Sequence, residues 1–297
     1  MKRFIGFLGI SFFTILMVAE VTNELQHQQH IRVAGDEERT LLAGHSLIRR
    51  LTLTGGIRFC HGGEPLYVTT LAIKRLLNRG LQASSIVLSV APQSFNKASH
   101  LQRMEVKEFA KEKDMELARS LSWFQLLDPN LHLPRRWQAM RWKLIPMYQP
   151  EMAPSDSFFM PPRSLVSWRE RIQNRWEQKL ASEEYEEDWG WDDCALENLQ
   201  LLLHHAQENN IPIIGLITPQ QRWSWEQIPT DFEQMWQSTL QDLDRQHELF
   251  HVVDLGKSPA LPAHCFTDPV HLSPEGSAAL RDTLEKIVAQ IEGMHTR

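Results

Sequence analysis

The sequence contains few cysteines: three among 297 residues, at positions 60, 194 and 265. A disulfide framework is excluded, because small disulfide-dependent domains carry more cysteines, in even numbers. The sequence is compatible with a single disulfide between Cys60 and Cys265, which would leave Cys194 free. Two cysteines adjoin histidines, at positions 60–61 and 264–265, but adjacent residues of an extended segment point to opposite sides. We therefore expect no metal site and no other cofactor.

The chain also lacks an excess of basic residues, since its net charge is −6 at pH 7 and its pI is near 6.1. A general nucleic-acid surface would show a basic excess on one face, so nucleic acid is not an expected partner. The hydrophobic content of 42% is ordinary for a chain that buries a full core. Ten tryptophans are unusual. Core packing explains most such residues, but a cleft for sugars or acyl chains would use the same wide rings.

An uncharged apolar run occupies residues 4–19, directly after Lys2 and Arg3. As a helix it would span about 24 Å, against roughly 30 Å for the hydrocarbon core of a bilayer. Both a membrane anchor and a signal peptide fit this pattern. Cleavage after Ala19 would put Met17 where a small residue is preferred, which favours an uncleaved anchor. The positive-inside rule then predicts that the remainder is periplasmic or extracellular.

After a polar linker, short apolar runs alternate with amphipathic segments. The predicted strands are residues 39–43, 57–61, 85–90, 211–217 and 249–255. The predicted helices are residues 64–79, 101–127, 192–209, 231–247 and 274–292. This alternation predicts an α/β fold in which helices cover both faces of a parallel sheet. Ligands bind such sheets at the carboxyl ends of the strands.

The domain organisation follows from these patterns. We assign residues 1–22 to a signal anchor or signal peptide, residues 23–37 to a linker and residues 38–297 to one α/β domain. Residues 128–190 fit the alternation poorly and are interpreted as an inserted cap, rich at first in Pro, Trp, Met and basic residues. The acidic run at 183–193 is interpreted as a solvated linker and helix start.

One stretch near the carboxyl terminus indicates catalysis. Asp268 and His271 lie three residues apart in a turn that leads, through Ser273 as N-cap and Pro274 as first helical residue, into the last predicted helix. At this spacing the carboxylate can fix the imidazole tautomer and leave the second ring nitrogen as a general base. The best candidate nucleophile is Ser46, where an apolar run ends in Gly-X-Ser. Each of the three residues also has a plainer interpretation. Ser46 would be a helix N-cap, His271 a structural histidine and Asp268 a turn residue.

Four blocks of the chain resemble, in order, those of the SGNH (GDSL-like) hydrolase superfamily. They are Gly44-His45-Ser46, Gly62-Gly63, Pro92-Gln93-Ser94-Phe95 and Asp268-Pro-Val-His271-Leu. Within the superfamily, the apolar amino-terminal run and residues 89–95 look most like DltD-type proteins and, more distantly, alginate O-acetyltransferase proteins. Two positions depart from the usual pattern, which has Asp at His45 and Asn at Gln93.

This resemblance implies a three-layer α/β/α sandwich with a flavodoxin-like parallel sheet. Ser46 would be the nucleophile, His271 the base and Asp268 the residue that orients it. An oxyanion hole would then combine three kinds of donor: the amide of Ser46, a backbone amide of Gly62 or Gly63, and the side chain of Gln93 or Asn96.

The implied function is acyl-ester chemistry outside the cytoplasm. The protein would be a membrane-anchored serine esterase or O-acyltransferase acting on acylated cell-envelope polysaccharide or polymer, together with a membrane-bound O-acyltransferase. The alternative is a catalytically inactive envelope scaffold that binds a polysaccharide or that membrane partner through its Trp-rich cap.

Overall fold

A computed structural model describes the parts of the chain that form the sheet and its flanking helices, namely residues 39–44, 47–60, 66–78, 80–96, 152–154, 189–256, 261–268 and 270–295. The apolar run at 4–19, the predicted helix at 101–127 and nearly all of the predicted cap lie outside these ranges. Within these ranges, no helix combines the length and the apolar character that crossing a bilayer requires.

The described residues form one six-stranded sheet. Its strands are β1 (Arg39–Gly44), β2 (Ile57–Cys60), β3 (Ala83–Ser89), β4 (Met152–Pro154), β5 (Ile213–Ile217) and β6 (Phe250–Asp254). Their order across the sheet is β4-β2-β1-β3-β5-β6. All neighbouring pairs are parallel except β2 and β4, which are antiparallel. The predicted α/β fold with a parallel sheet is confirmed, and β4 adds an edge strand from within the segment assigned to the cap.

Helices cover both faces of this sheet. They are α1 (Leu66–Asn78), α2 (Asp193–Glu208), α3 (Arg222–Glu226), α4 (Thr230–Gln246) and α5 (Pro274–His295). Because alternate residues of a strand point to opposite faces, Leu41 packs with α1, α2 and α4, whereas Leu42 packs with α5. The central strands are therefore buried on both sides, which explains their continuous apolar runs.

The direction of α5 places the Asp268–His271 turn relative to the sheet. Near the carboxyl end of α5, Glu292 accepts hydrogen bonds from Thr40 at 3.0 Å and from Ser85 at 2.7 Å, both at the amino ends of their strands. A helix of 22 residues extends about 33 Å. The start of α5, and the turn directly before it, therefore lie toward the carboxyl ends of the strands.

The order of the parallel strands also indicates where a ligand would bind. The order is β2-β1-β3-β5-β6, so that chain progression across the sheet reverses between β1 and β3. In open α/β sheets a crevice forms at the carboxyl ends of the two strands where this reversal occurs. β1 ends at Gly44, two residues before Ser46, and β3 ends at Ser89, four residues before Gln93.

The segment before α2 confirms one part of the interpretation of the acidic run at 183–193 and corrects the other. The predicted helix start is confirmed, because α2 begins at Asp193. The end of the predicted solvated linker is packed instead, since Trp191 stacks on Phe95 and Trp189 meets Phe232 edge to face. Asp192 caps α2 by accepting hydrogen bonds from the backbone N–H groups of residues 194 and 195. The end of the run is thus packed, because two tryptophans interrupt its charges.

Candidate active site

Asp268 and His271 are in direct contact. Nδ1 of His271 lies 2.7 Å from Oδ2 and 2.9 Å from Oδ1 of Asp268. Oδ1 also accepts hydrogen bonds from the backbone N–H groups of Val270 at 3.0 Å and His271 at 2.8 Å. A carboxylate bonded to Nδ1 favours the tautomer in which Nε2 carries no proton and can act as a base. The His271 side chain is 15% exposed, whereas that of Asp268 is 3% exposed.

The turn that carries this pair is closed by local bonds. The backbone N–H of Thr267 donates to the carbonyl of His271 at 2.8 Å, and Phe266 pairs with Leu272 in a β-bridge. Ser273 then caps α5, because its Oγ accepts a hydrogen bond from the N–H of Gly276 at 3.2 Å. This confirms the predicted N-cap, which fixes where the turn ends and the helix begins.

The charge of the Asp268 carboxylate is favoured by its surroundings. Burial raises the pKa of this carboxyl, but the positive charge of His271 and the hydrogen bonds from His271 and Val270 lower it by more. The pKa therefore lies below its ordinary value. An ionised carboxylate at this point orients the imidazole and stabilises an imidazolium when one forms.

The candidate nucleophile Ser46 lies outside the described residues, as does its neighbour His45. The residues on either side are described. Gly44 ends β1 with φ of +141°, a conformation that side-chain-bearing residues rarely adopt. A Cβ on Gly44 would lie 3.1 Å from Cβ of Ser89 and 3.2 Å from Cγ2 of Ile48. Glycine is therefore required where the chain leaves the strand, which is the setting of a serine presented at a strand end.

Of the predicted oxyanion donors, Ser46, Gly62 and Gly63 lie outside the described residues. Gln93 lies in the 3₁₀ helix Pro92–Ser94 that follows β3, and its side chain is half-buried. Asn96 is fully buried, and its Oδ1 accepts a hydrogen bond from the N–H of Gly190 at 3.3 Å. Gln93 is thus the more accessible of the two amides.

Gln93 is held by a second glutamine. Its Nε2 donates to Oε1 of Gln220 at 2.9 Å, and Nε2 of Gln220 donates back to Oε1 of Gln93 at 3.0 Å. Oε1 of Gln220 also accepts a hydrogen bond from the hydroxyl of Ser224 at 2.9 Å. Gln220 is buried and follows β5, so the pair links the carboxyl ends of β3 and β5.

No model of a known protein family matches the chain, and no curated protein matches it either. Among the residues with described positions, no three His, Cys, Asp or Glu side chains are grouped so as to hold a metal ion. Cys265 is a buried free thiol, so the bridge to Cys60 that the sequence left open is not formed.

The sequence patterns did not single out two residues near this site. Gln220 lies three residues after β5, and no local pattern marks its side chain as part of a site. Arg50 is buried next to the Asp268–His271 turn, and its Nη1 donates to Oγ1 of Thr267 at 2.8 Å. No local pattern signals this contact, because the partners are 217 residues apart.

Proposed function

We propose that the protein is a serine esterase or O-acyltransferase of the SGNH type, with Ser46 as nucleophile, His271 as general base and Asp268 as the residue that orients it. The observation that carries the proposal is the contact between Nδ1 of His271 and the Asp268 carboxylate, at 2.7 Å, toward the carboxyl ends of the strands. The reversal of strand order between β1 and β3 supports it, since Ser46 follows one of these two strands.

The reaction has two halves. Ser46 Oγ attacks the ester carbonyl carbon while its proton moves to Nε2 of His271, and the carbonyl oxygen becomes an oxyanion. The tetrahedral intermediate then expels the alcohol, which takes the proton from His271, and an acyl-serine remains. In the second half, water or an acceptor hydroxyl gives its proton to His271 and attacks the acyl-serine. The bond to Ser46 Oγ then breaks, Ser46 takes the proton back from His271, and the acid or the new ester leaves.

The oxyanion needs donors in the first and second halves alike. We assign this role to the backbone amide of Ser46, an amide of Gly62 or Gly63, and the side-chain amide of Gln93. A glutamine amide can donate to an oxyanion, and the contact with Gln220 holds the Gln93 amide in place. Removing a donor of this kind costs roughly 10² to 10³ in kcat.

The proposed location and substrate follow from the resemblance and from the apolar run at 4–19. We propose that this run anchors the domain to a membrane and that the domain faces the periplasm or cell exterior. The acyl groups would be those of a cell-envelope polysaccharide or polymer, and a membrane-bound O-acyltransferase would be the partner. The inserted cap at 128–190 would then contact the acceptor.

The proposal is tested by the kinetics of Ser46→Ala, His271→Ala and the double variant on a small activated ester such as nitrophenyl acetate. Because the two residues act as one unit, each single variant should lose turnover and the double variant should lose little more. His264→Ala is the matched control, since His264 is an exposed histidine of the same segment. Wild-type rates in both single variants would refute the triad, and an inactive wild-type chain would favour the scaffold.

A further inference from the structure

Arg50 is a buried cation that spans both sides of the Asp268–His271 turn. It ends the 3₁₀ helix Ile48–Arg50, four residues after Ser46, and it is 7% exposed. Its Nη1 donates to Oγ1 of Thr267 at 2.8 Å and to the carbonyl oxygen of Leu272 at 3.4 Å. Thr267 directly precedes Asp268, and Leu272 directly follows His271. One side chain therefore holds the two ends of the turn together.

The contact with Thr267 extends to the histidine. Oγ1 of Thr267 accepts from Arg50 and itself donates to the carbonyl oxygen of His271 at 3.3 Å. The backbone N–H of Thr267 donates to the same carbonyl at 2.8 Å. A displacement of the guanidinium would therefore be transmitted to the backbone from which the imidazole projects.

Packing alone does not account for a guanidinium at this position. Burial lowers the pKa of Arg50, the negative charge of Asp268 opposes that effect, and the neighbouring Arg49 adds to it. Desolvating a cation is costly, and apolar side chains of similar volume often fill such a space at lower cost. The guanidinium is thus useful here for two interactions: its hydrogen bonds to the turn and its electrostatic attraction to Asp268.

We propose that Arg50 is a positioning residue for the Asp268–His271 pair, and that it fixes the geometry between the segment carrying Ser46 and the turn carrying the base. This assignment rests on the proposed function. The effect of Arg50 on the contact between Asp268 and His271 can nevertheless be measured without turnover. In this role Arg50 acts through the turn and not on the substrate itself. It fixes the backbone from which the His271 imidazole projects, and a misplacement of a catalytic group by about 1 Å costs roughly 100-fold in rate.

The test uses the purified full chain and two readouts. The first is the far-downfield proton resonance of the His271 Nδ1–H that is donated to Asp268, assigned by its loss in His271→Gln and Asp268→Asn. The second is the separation of kcat from KM on nitrophenyl acetate. Arg50→Met removes the contacts, Arg50→Lys keeps the charge without the planar fork, and Arg49→Gln removes the same charge from the neighbouring position.

The resonance should be present in the wild type and in Arg49→Gln, lost or shifted in Arg50→Met, and partly retained in Arg50→Lys. The kcat of Arg50→Met should fall roughly 100-fold with little change in KM. Because the resonance needs no turnover, a chain without esterase activity that shows this pattern refutes the proposed function and still supports the positioning role.

Three results would overturn the inference. One is a folded Arg50→Met protein with both the wild-type resonance and the wild-type kcat. Another is a wild-type chain without the resonance. The third is an unchanged resonance in a folded Thr267→Val protein.

Thr267→Val is also the substitute if Arg50→Met does not fold, because it removes the hydroxyl at nearly constant shape. The resonance should be lost or shifted in this variant as well.

Discussion

Both oxygens of the Asp268 carboxylate are hydrogen-bonded to His271. Oδ2 lies 2.7 Å from its Nδ1, and Oδ1 accepts a hydrogen bond from its backbone N–H at 2.8 Å. In Asp268→Asn, the amide oxygen would keep the two backbone donors and the NH₂ group would face Nδ1. The imidazole would then carry its proton on Nε2 and could not act as a base. We expect kcat to fall about 10³- to 10⁴-fold without loss of folding. A kcat near that of the wild type would contradict the orienting role.

The same carboxylate should make stability depend on pH. The pKa of Asp268 in the folded protein lies below its ordinary value of 3.8, so its ionised form stabilises the fold above that value. This contribution is lost as the pH falls through the folded-state pKa. Urea unfolding of wild type and Asp268→Asn should therefore differ most near neutral pH, and the difference should shrink below about pH 4. A constant difference across this range would show that Asp268 contributes through packing alone.

Gly44 should tolerate no side chain, because two effects add there. Its φ of +141° is costly for alanine, and the new Cβ would lie 3.1 Å from Cβ of Ser89. We expect Gly44→Ala to lower the free energy of unfolding by about 2 kcal/mol or more. Gly55 is the control, since it has φ of +70° with nothing within 4 Å of the added Cβ, so Gly55→Ala should cost only about 1 kcal/mol. Equal costs in denaturant titrations would show that the close approach at Gly44 is unimportant.

The reciprocal contact between Gln93 and Gln220 should appear in a double-mutant cycle. If Gln220 holds the Gln93 amide in place, Gln220→Ala should lower kcat nearly as much as Gln93→Ala, by roughly 10². The double variant should lose little more, and the coupling in stability should be about 0.5 to 3 kcal/mol. Gln221→Ala is the control, because its side chain makes no capping hydrogen bond to α3. Additive effects on kcat would mean that the two glutamines act separately.

The elements that could be predicted from the sequence are those with local causes. The strand predicted at 39–43 is β1, Arg39–Gly44. Its end was predictable because the short apolar run stops at a glycine, a residue that marks a turn. The helix predicted at 274–292 is α5, Pro274–His295, because Ser273 and Pro274 mark its start. The contact between Asp268 and His271 was predictable for the same reason, since three residues of one turn separate them.

The features that were missed depend on residues far apart in the chain. β4 has three residues, too few for a periodic pattern, and it is an edge strand only because β2 is available to pair with it. The contacts of Arg50 with Thr267 and of Gln93 with Gln220 span 217 and 127 residues. Such pairs depend on the order of strands in the sheet, which the alternation of elements does not determine.

The proposed function requires that Ser46 is a nucleophile activated by His271. The most direct measurement is to treat the chain with a serine-directed fluorophosphonate probe and to map the adduct by mass spectrometry of the digested protein. With a working triad, Ser46 Oγ gives its proton to His271, attacks phosphorus and displaces fluoride, so that the phosphonyl group stays on the serine. We expect an adduct on the peptide that contains Ser46 in the wild type, and none in His271→Ala or Ser46→Ala. A wild-type chain that carries no adduct, or carries it on another serine, would show that Ser46 is not the activated nucleophile.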